Sequence, residues 1–292
     1  MKMLDTMPPY NLFGIEEQNY DKAKVVVMPV PYDATTTYRP GTRDGPHALI
    51  DASRTIEFYS EETGYDIRKI GIYTAEEMAP DLSGPEHMVK RIEKEVSLVL
   101  DDKKMSMLLG GEHTISIGAI AALAKRDKSF SILQLDAHAD SYDIYMNAKH
   151  CHATVMARAR ELCGSCYGVG IRSADEPSIR KHGTQMLFMK DMREMNAKDI
   201  VKSILSNTKD NIYLTIDLDV LDPSEMPSVG TPEPGGMSFN QLVDVIKGVV
   251  RNRNIIGLDI VELCPIPGLV APNYLAAKLA YMTLSCAFKT KH

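Results

Sequence analysis

The chain contains 292 residues, of which 44% are hydrophobic, and its formal net charge at pH 7 is −6. This length accommodates one large α/β domain or two small ones, with enough apolar residues for a sizeable core. Because no block of like charge occurs, the composition argues against binding to nucleic acid or to an anionic membrane. The N-terminus lacks the apolar core of a signal peptide and the five cysteines are an odd number, so we expect a cytoplasmic protein with reduced thiols.

Short apolar runs alternate with amphipathic segments along the chain. We predict eight strands, at residues 23–29, 69–73, 105–109, 130–135, 167–171, 185–189, 211–216 and 255–260. Helices are predicted at residues 48–59, 85–100, 113–125, 152–162, 197–206, 239–250 and within 269–288. This alternation indicates a mostly parallel sheet that is covered by helices on both faces.

No repeat, low-complexity linker or change in composition divides the chain, so we expect a single domain over residues 1–292. The apolar segment 269–288 includes a proline and a lysine, which favours a packed C-terminal helix over a membrane span. Residues 32–46 are rich in Gly, Pro, Thr and Arg and predict a long loop, with either a functional role or a packing and subunit-contact role. The spacing of Cys163 and Cys166 is compatible with inert thiols or with a local disulfide.

Three of the predicted strands are followed within a few residues by ionisable side chains. Ligands of such sheets bind outside the carboxyl ends of the strands, so we expect these side chains to meet there. The set consists of His113, Asp136, His138, Asp140, Asp217 and Asp219. Six such groups exceed the four ligands of a structural zinc site and suit two divalent ions, with Mn²⁺ favoured and Co²⁺ or Ni²⁺ as alternatives. A hydrogen-bonded Asp-His-Asp network is the alternative without a metal.

Three motifs carry a family resemblance. Gly-Gly-Glu-His at 110–113, Asp-Ala-His-Ala-Asp at 136–140 and Asp-Leu-Asp at 217–219 resemble the metal motifs of the arginase/agmatinase (ureohydrolase) family. Segments 30–33, 39–46, 170–173, 230–236 and 259–262 are also similar to that family, in the same order. The resemblance implies a three-layer α/β/α arginase-like fold with a mostly parallel eight-stranded sheet, two Mn²⁺ per subunit, and a trimeric or hexameric homo-oligomer.

The resemblance also implies a role for each candidate ligand. His113 would bind one ion and His138 the other. Asp136 and Asp217 would lie between the ions, and Asp219 would complete the ligands of the second. A hydroxide bridging the ions would attack a guanidinium carbon, as paired metals allow.

Three side chains are expected to carry the chemistry beyond metal binding. Asp140 would bind a metal, orient the hydroxide and pass its proton to the leaving amine. Glu262, at the end of the last strand, would hold the planar guanidinium as a bidentate partner. His152 would shuttle a proton or contact the substrate, with His150 as its nearby competitor. Glu112 is expected to support the ligands from outside the ligand set.

The loop after the second motif bears on the substrate. Arginases typically have an Asn where this chain has Tyr142, and their Ser-Gly-Asn segment is missing. The loop instead offers Tyr142, Asp143, Tyr145 and Asn147, which suit a cationic tail better than a carboxylate. We therefore expect a cationic guanidino substrate, agmatine or its N1-aminopropyl derivative, with urea and putrescine or spermidine as products.

Other functions stay open on the sequence alone. Residues 224–229 differ from typical agmatinases, so the substrate could instead be guanidinobutyrate, arginine, a formimino compound or guanidine. A zinc deacylase on a related fold and a non-catalytic metal-binding protein are more remote alternatives.

Overall fold

A computed structural model describes residues 7–289 of the chain. The ten strands are β1 Val25–Val30, β2 Tyr59–Ser60, β3 Tyr65–Asp66, β4 Ile72–Thr74, β5 Met105–Gly110, β6 Phe130–Leu135, β7 Cys166–Ile171, β8 Met186–Phe188, β9 Asn211–Asp217 and β10 Asn254–Val261. The nine α-helices are α1 Gly45–Ser53, α2 Pro85–Asp101, α3 Ile115–Ala124, α4 Val155–Cys163, α5 Glu176–His182, α6 Met189–Met192, α7 Ala197–Asn207, α8 Phe239–Val250 and α9 Ala271–Lys289. These counts refer to the described residues.

Eight strands form one parallel sheet in the order β4-β1-β5-β10-β9-β6-β7-β8. Helices α2, α3 and α4 pack together on one side, and α1, α7, α8 and α9 pack together on the other. Side chains of β1 alternate between the two cores, with Val25 and Val27 in one and Val26 and Met28 in the other. The predicted three-layer α/β/α fold is confirmed.

Several predicted boundaries are wrong. The helix predicted at 48–59 ends at Ser53, whose hydroxyl donates to the carbonyl of Ile50 and accepts from the N–H of Phe13. The chain then enters the small antiparallel hairpin of β2 and β3, which the sequence did not indicate. The strand predicted at 69–73 begins only at Ile72, because residues 67–70 form a 3₁₀ turn that Gly71 ends with a φ of 75°. The short helices α5 and α6 were also not predicted.

Other predicted elements are confirmed. Ser238 caps α8, since its hydroxyl accepts from the N–H of Gln241 at 3.2 Å. The C-terminal segment forms the packed helix α9, and none of the helices in residues 7–289 is long and apolar enough to cross a membrane. The single domain over 1–292 stays a prediction.

The order of the central strands positions the candidate site. Strands β5, β10, β9 and β6 are neighbours and run parallel, so their carboxyl ends lie along one edge. The ends are nearly level, because Leu109 pairs with Ile260, and Ile216 pairs with both Ile260 and Leu135. The residues that follow these strands therefore converge.

Candidate active site

The turn after β5 brings His113 to the edge of the sheet. Gly111 is required there, since a Cβ atom on it would lie 2.0 Å from the carbonyl oxygen of Tyr32. Two carboxylate residues nearby have a positive φ, 44° at Asp140 and 67° at Glu262. Such backbone is uncommon for residues other than glycine and costs about 1–3 kcal/mol, and it clusters at functional sites.

His113 faces three carboxylates. Its Nδ1 lies 3.2 Å from Asp136 Oδ2, 3.1 Å from Asp140 Oδ2 and 3.3 Å from Asp217 Oδ2. The ring is buried, and Nδ1 makes no hydrogen bond of acceptable geometry. A buried nitrogen without a partner, among converging carboxylate oxygens, is the arrangement expected of metal ligands.

A second group of ligand atoms shares a residue with the first. Nδ1 of His138 lies 2.8 Å from Asp219 Oδ2 and 3.8 Å from Asp136 Oδ1. The ligand atoms of His113, Asp136 and Asp140 lie within 4.8 Å of one another, as do those of Asp136, His138 and Asp219. The two groups, each of which could hold a cation, therefore share Asp136.

The charges of these groups require compensation. Burial, followed by the charges of Asp219 and Asp140, raises the pKa of Asp136 to about 7. Burial also raises the pKa of Asp217 well above its ordinary value. Burial by itself would lower the pKa of His113, but the neighbouring carboxylates outweigh it and raise this pKa instead. Carboxylate oxygens and imidazole nitrogens in these numbers fit two divalent ions of the Mn²⁺ class.

A network behind His113 fixes the orientation of its ring. Nε2 of His113 lies 2.8 Å from the hydroxyl of Thr215, and that hydroxyl donates to Asp259 Oδ1 at 2.6 Å. The hydroxyl of Tyr213 donates to the other oxygen of Asp259 at 2.5 Å. Since the proton of Thr215 is used on Asp259, its oxygen accepts from His113 Nε2–H, which leaves the lone pair on Nδ1. The sequence did not indicate this network, because buried Thr and Tyr residues on strands give no functional signal.

Glu262 lies beside the metal-ligand groups. Its Oε1 accepts from the backbone N–H of His113 at 2.8 Å, which fixes the carboxylate at the edge of the sheet. Burial, followed by the charge of Glu112, raises the pKa of Glu262 to about 8. A cationic partner would favour its ionised form.

One cavity of about 330 Å³ connects these groups. Its lining includes His113, His138, Asp140, Asp217, Asp219 and Glu262, together with His152, Tyr142, Tyr145 and Asp175. Burial lowers the pKa of His152, which favours the neutral imidazole. The structure thus brings His152 to the cavity but not His150, which does not line it.

Comparison with known proteins decides the family. A family model described as the arginase family matches residues 23–286. The chain belongs to the arginase family. It is 36% identical over 273 residues to the N(1)-aminopropylagmatine ureohydrolase of Synechocystis sp., with 90% of this chain and 89% of that protein covered. It is 32% identical over 258 residues to the agmatinase of Halalkalibacterium halodurans, with 87% and 88% covered.

A solved structure agrees with this assignment. The agmatine ureohydrolase of Thermoplasma volcanium superimposes with a TM-score of 0.85 at 30% identity, and the match covers 93% of this chain and 92% of that one. The chain is therefore a ureohydrolase, a hydrolase that acts on the C–N bonds of amidines. The two overlapping Asp/His groups agree with the binuclear metal dependence of this family.

In this ureohydrolase, the residues predicted to contact the substrate tail separate into two sets. Tyr142 lines the cavity, next to Tyr145 with ring centroids 5.1 Å apart. Asp143 lies outside it, because its carboxylate is ion-paired with Arg158 and faces a neighbouring cavity. Asn147 is exposed on the turn of the loop and does not line the cavity either.

Asp175 was not singled out from the sequence, although it follows β7 at the same edge of the sheet. It lines the cavity, and its Oδ1 is buried without a hydrogen-bond partner. Its position after the Gly170–Ser173 segment was the one available signal. It therefore adds a carboxylate to the cavity lining.

Proposed function

We propose that this ureohydrolase hydrolyses agmatine or N1-aminopropylagmatine to urea and putrescine or spermidine. One observation carries the proposal. The described lining of the cavity contains five carboxylates, those of Asp140, Asp175, Asp217, Asp219 and Glu262, and no lysine or arginine. Asp140, Asp217 and Asp219 are also proposed metal ligands, whose charge the ions would offset, so Glu262 and Asp175 remain to attract a cationic substrate. A substrate carboxylate would find no lysine or arginine side chain in the described lining.

The proposed metal ligands are His113, Asp136, His138, Asp140, Asp217 and Asp219, holding two Mn²⁺. When bound, the ions supply Lewis acidity, which lowers the pKa of water and directs it at the electrophile. The unpartnered Nδ1 of His113 and the shared position of Asp136 support this assignment.

The chain's own side chains orient the guanidinium and move protons. Glu262, which lines the cavity, accepts hydrogen bonds from the planar cation. Asp140 takes a proton from the attacking water and gives it to the leaving amine nitrogen as the C–N bond breaks. His152, neutral because of its burial, accepts the second proton, which the new hydroxyl group loses as it becomes the carbonyl of urea, and passes it to the departing amine, which leaves as an ammonium ion.

The tail of the substrate extends away from these groups. Asp175 offers a buried carboxylate oxygen without a partner, which suits the distal ammonium. The rings of Tyr142 and Tyr145 provide apolar faces for the methylene chain and cation–π contact for the ammonium. The names of the relatives, aminopropylagmatine ureohydrolase and agmatinase, support both tail lengths. We further propose that the chain forms a trimer or hexamer.

The decisive experiment measures urea release by the Mn²⁺-loaded protein. Agmatine, N1-aminopropylagmatine, arginine, 4-guanidinobutyrate and guanidine are compared at equal concentration, with bound metal quantified per chain. We expect two ions per chain and a preference for the two cationic-tailed substrates. A preference for arginine or guanidinobutyrate would contradict the assignment of the tail, and one tightly bound Zn²⁺ per chain would contradict the binuclear centre.

A further inference from the structure

Thr35, in the long loop after β1, connects this loop to the turn that bears His113. Its backbone N–H donates to Glu112 Oε2 at 2.8 Å, and its hydroxyl lies 2.8 Å from Glu112 Oε1. Thr114 donates to the same Oε1 at 2.9 Å, so three donors converge on this fully buried carboxylate. The N–H of Glu112 in turn donates to the carbonyl of Tyr32 at 2.8 Å. The hydrogen bonds between Thr35 and Glu112 therefore hold this part of the loop against the turn that bears His113.

The same hydroxyl also contacts His152. Thr35 Oγ1 lies 3.2 Å from His152 Nδ1 and accepts from the backbone N–H of His152 at 3.2 Å. A threonine hydroxyl has one proton, and here that proton is directed at Glu112. Toward His152 the oxygen can then only accept. Nδ1 of His152 must accordingly carry the ring proton, and the lone pair lies on Nε2.

We propose that Thr35 is a positioning residue that holds His152 in the Nδ1–H tautomer and presents Nε2 as the proton acceptor. The inference rests on the proposed function in one respect, that His152 moves a proton during amidine hydrolysis. The neutral imidazole has two tautomers, and only one leaves Nε2 unprotonated. The contact with Thr35, which does not line the cavity, therefore decides which nitrogen of His152 carries the proton.

The geometry also explains why a long loop is needed. Glu112 precedes β6 in the chain and His152 follows it. The side chain of Thr35 contacts both residues. The ring of Tyr145 also packs against His152 in an edge-to-face arrangement, with ring centroids 5.8 Å apart. The proposed role requires a hydroxyl that donates to Glu112 and accepts from His152, and a serine at this position would also supply one.

The test compares Thr35→Val, Thr35→Ser and the control Thr36→Val, which alters the next threonine of the same loop. In the Mn²⁺-loaded enzyme, we expect Thr35→Val to lower kcat about tenfold with KM within about twofold, because general acid–base steps depend on placement of the proton. The acidic limb of the pH profile of kcat/KM should also move to lower pH. Thr35→Ser and Thr36→Val should remain within about twofold of the wild type.

A second readout does not depend on turnover. Long-range ¹H–¹⁵N spectra of the histidine-labelled full chain, loaded with diamagnetic Zn²⁺, distinguish the two tautomers, and His152→Asn identifies the signal. We expect Nδ1–H in the wild type and a mixture of tautomers in Thr35→Val. An Nε2–H tautomer in the wild type, or unchanged tautomer and kinetics in Thr35→Val, would overturn the proposal.

The two hypotheses can fail separately. If the wild type releases urea from none of the guanidino substrates, the proposed function fails, while the tautomer still decides the role of Thr35. If Thr35→Val loses metal or does not fold, the role of Thr35 is tested by the tautomer of His152 in the wild type and by the pH profile of kcat/KM in Thr35→Ser. A purely structural role for Thr35 would lower thermal stability without moving the pH profile or the tautomer.

Discussion

Thr215 lies directly behind His113, with its hydroxyl 2.8 Å from Nε2 of the imidazole and hydrogen-bonded to Asp259. Removing this hydroxyl frees the ring to rotate and to change tautomer. We expect Thr215→Val to weaken binding of the first divalent ion about 10–100-fold. Chelator-competition titration measures this affinity. Thr283→Val is the control, since the Thr283 hydroxyl donates to the carbonyl of Leu279 in the same helix, α9. Equal affinities in both variants would exclude this role for Thr215.

His138 is a proposed ligand of only one of the two ions. His138→Asn should leave the His113 group intact and reduce the bound metal from two ions per chain to one. We expect activity to fall by at least about 100-fold while the circular dichroism spectrum is unchanged, because His138 lies after the end of β6 and its side chain is 23% exposed. His87→Asn, on the exposed side of α2, is the control. Wild-type turnover with two bound ions would remove His138 from the ligand set.

Glu262 is proposed to pair with the guanidinium. Glu262→Gln keeps the shape and one acceptor oxygen but loses the charge, and a hydrogen bond to a charged group contributes about 1.5–3 kcal/mol. We expect kcat/KM for agmatine to fall about 10–100-fold. Since burial makes the ionised form of Glu262 unfavourable without substrate, thermal stability should be unchanged or higher. Steady-state kinetics and calorimetry measure both effects, and unaltered kinetics would place the guanidinium elsewhere.

Asp175 should act on the substrate tail and not on the guanidinium. We expect Asp175→Asn to lower kcat/KM for agmatine about tenfold and to have a smaller effect on butylguanidine, which lacks the distal ammonium. Asp143→Asn is the matched control, because Asp143 is paired with Arg158 outside the cavity. An equal loss for both substrates would argue against contact between Asp175 and the ammonium.

The metal-free chain should become less stable as pH rises from about 5 to 9. The pKa values of Asp136 and Glu262 are raised to about 7 and about 8, and that of His138 is raised to about 11. The folded state therefore binds more protons than the unfolded state in this range, and its stability falls as those protons are lost. Urea denaturation of chelator-treated protein measures this slope. Added Mn²⁺ should remove it, because ions replace the protons at these ligands. Stability that rises with pH in the metal-free chain would contradict the raised pKa values.

The sequence determined which residues were available for the centre. Asp136, His138 and Asp140 alternate directly after one apolar run, and two further apolar runs also lead into Asp or His residues. Because parallel strands present their carboxyl ends at one edge, the convergence of the His113, Asp136 and Asp217 segments follows from the sequence pattern alone. The fold class followed from the same alternation of strands and helices.

Only the tertiary structure decided which distant side chains complete the site. Neighbouring positions for β5, β10, β9 and β6 are set by packing of helices on both faces, which local periodicity does not encode. The contact of Thr35 with His152 joins residues 117 positions apart, and that of Thr215 with His113 joins residues 102 apart. Asp143 lies outside the cavity because it forms an ion pair with Arg158, a residue of the following helix, and this partner was also not evident from the sequence. Hydrogen-bond partners of this kind are fixed by where the chain folds back on itself, so their roles emerge only when the sheet is assembled.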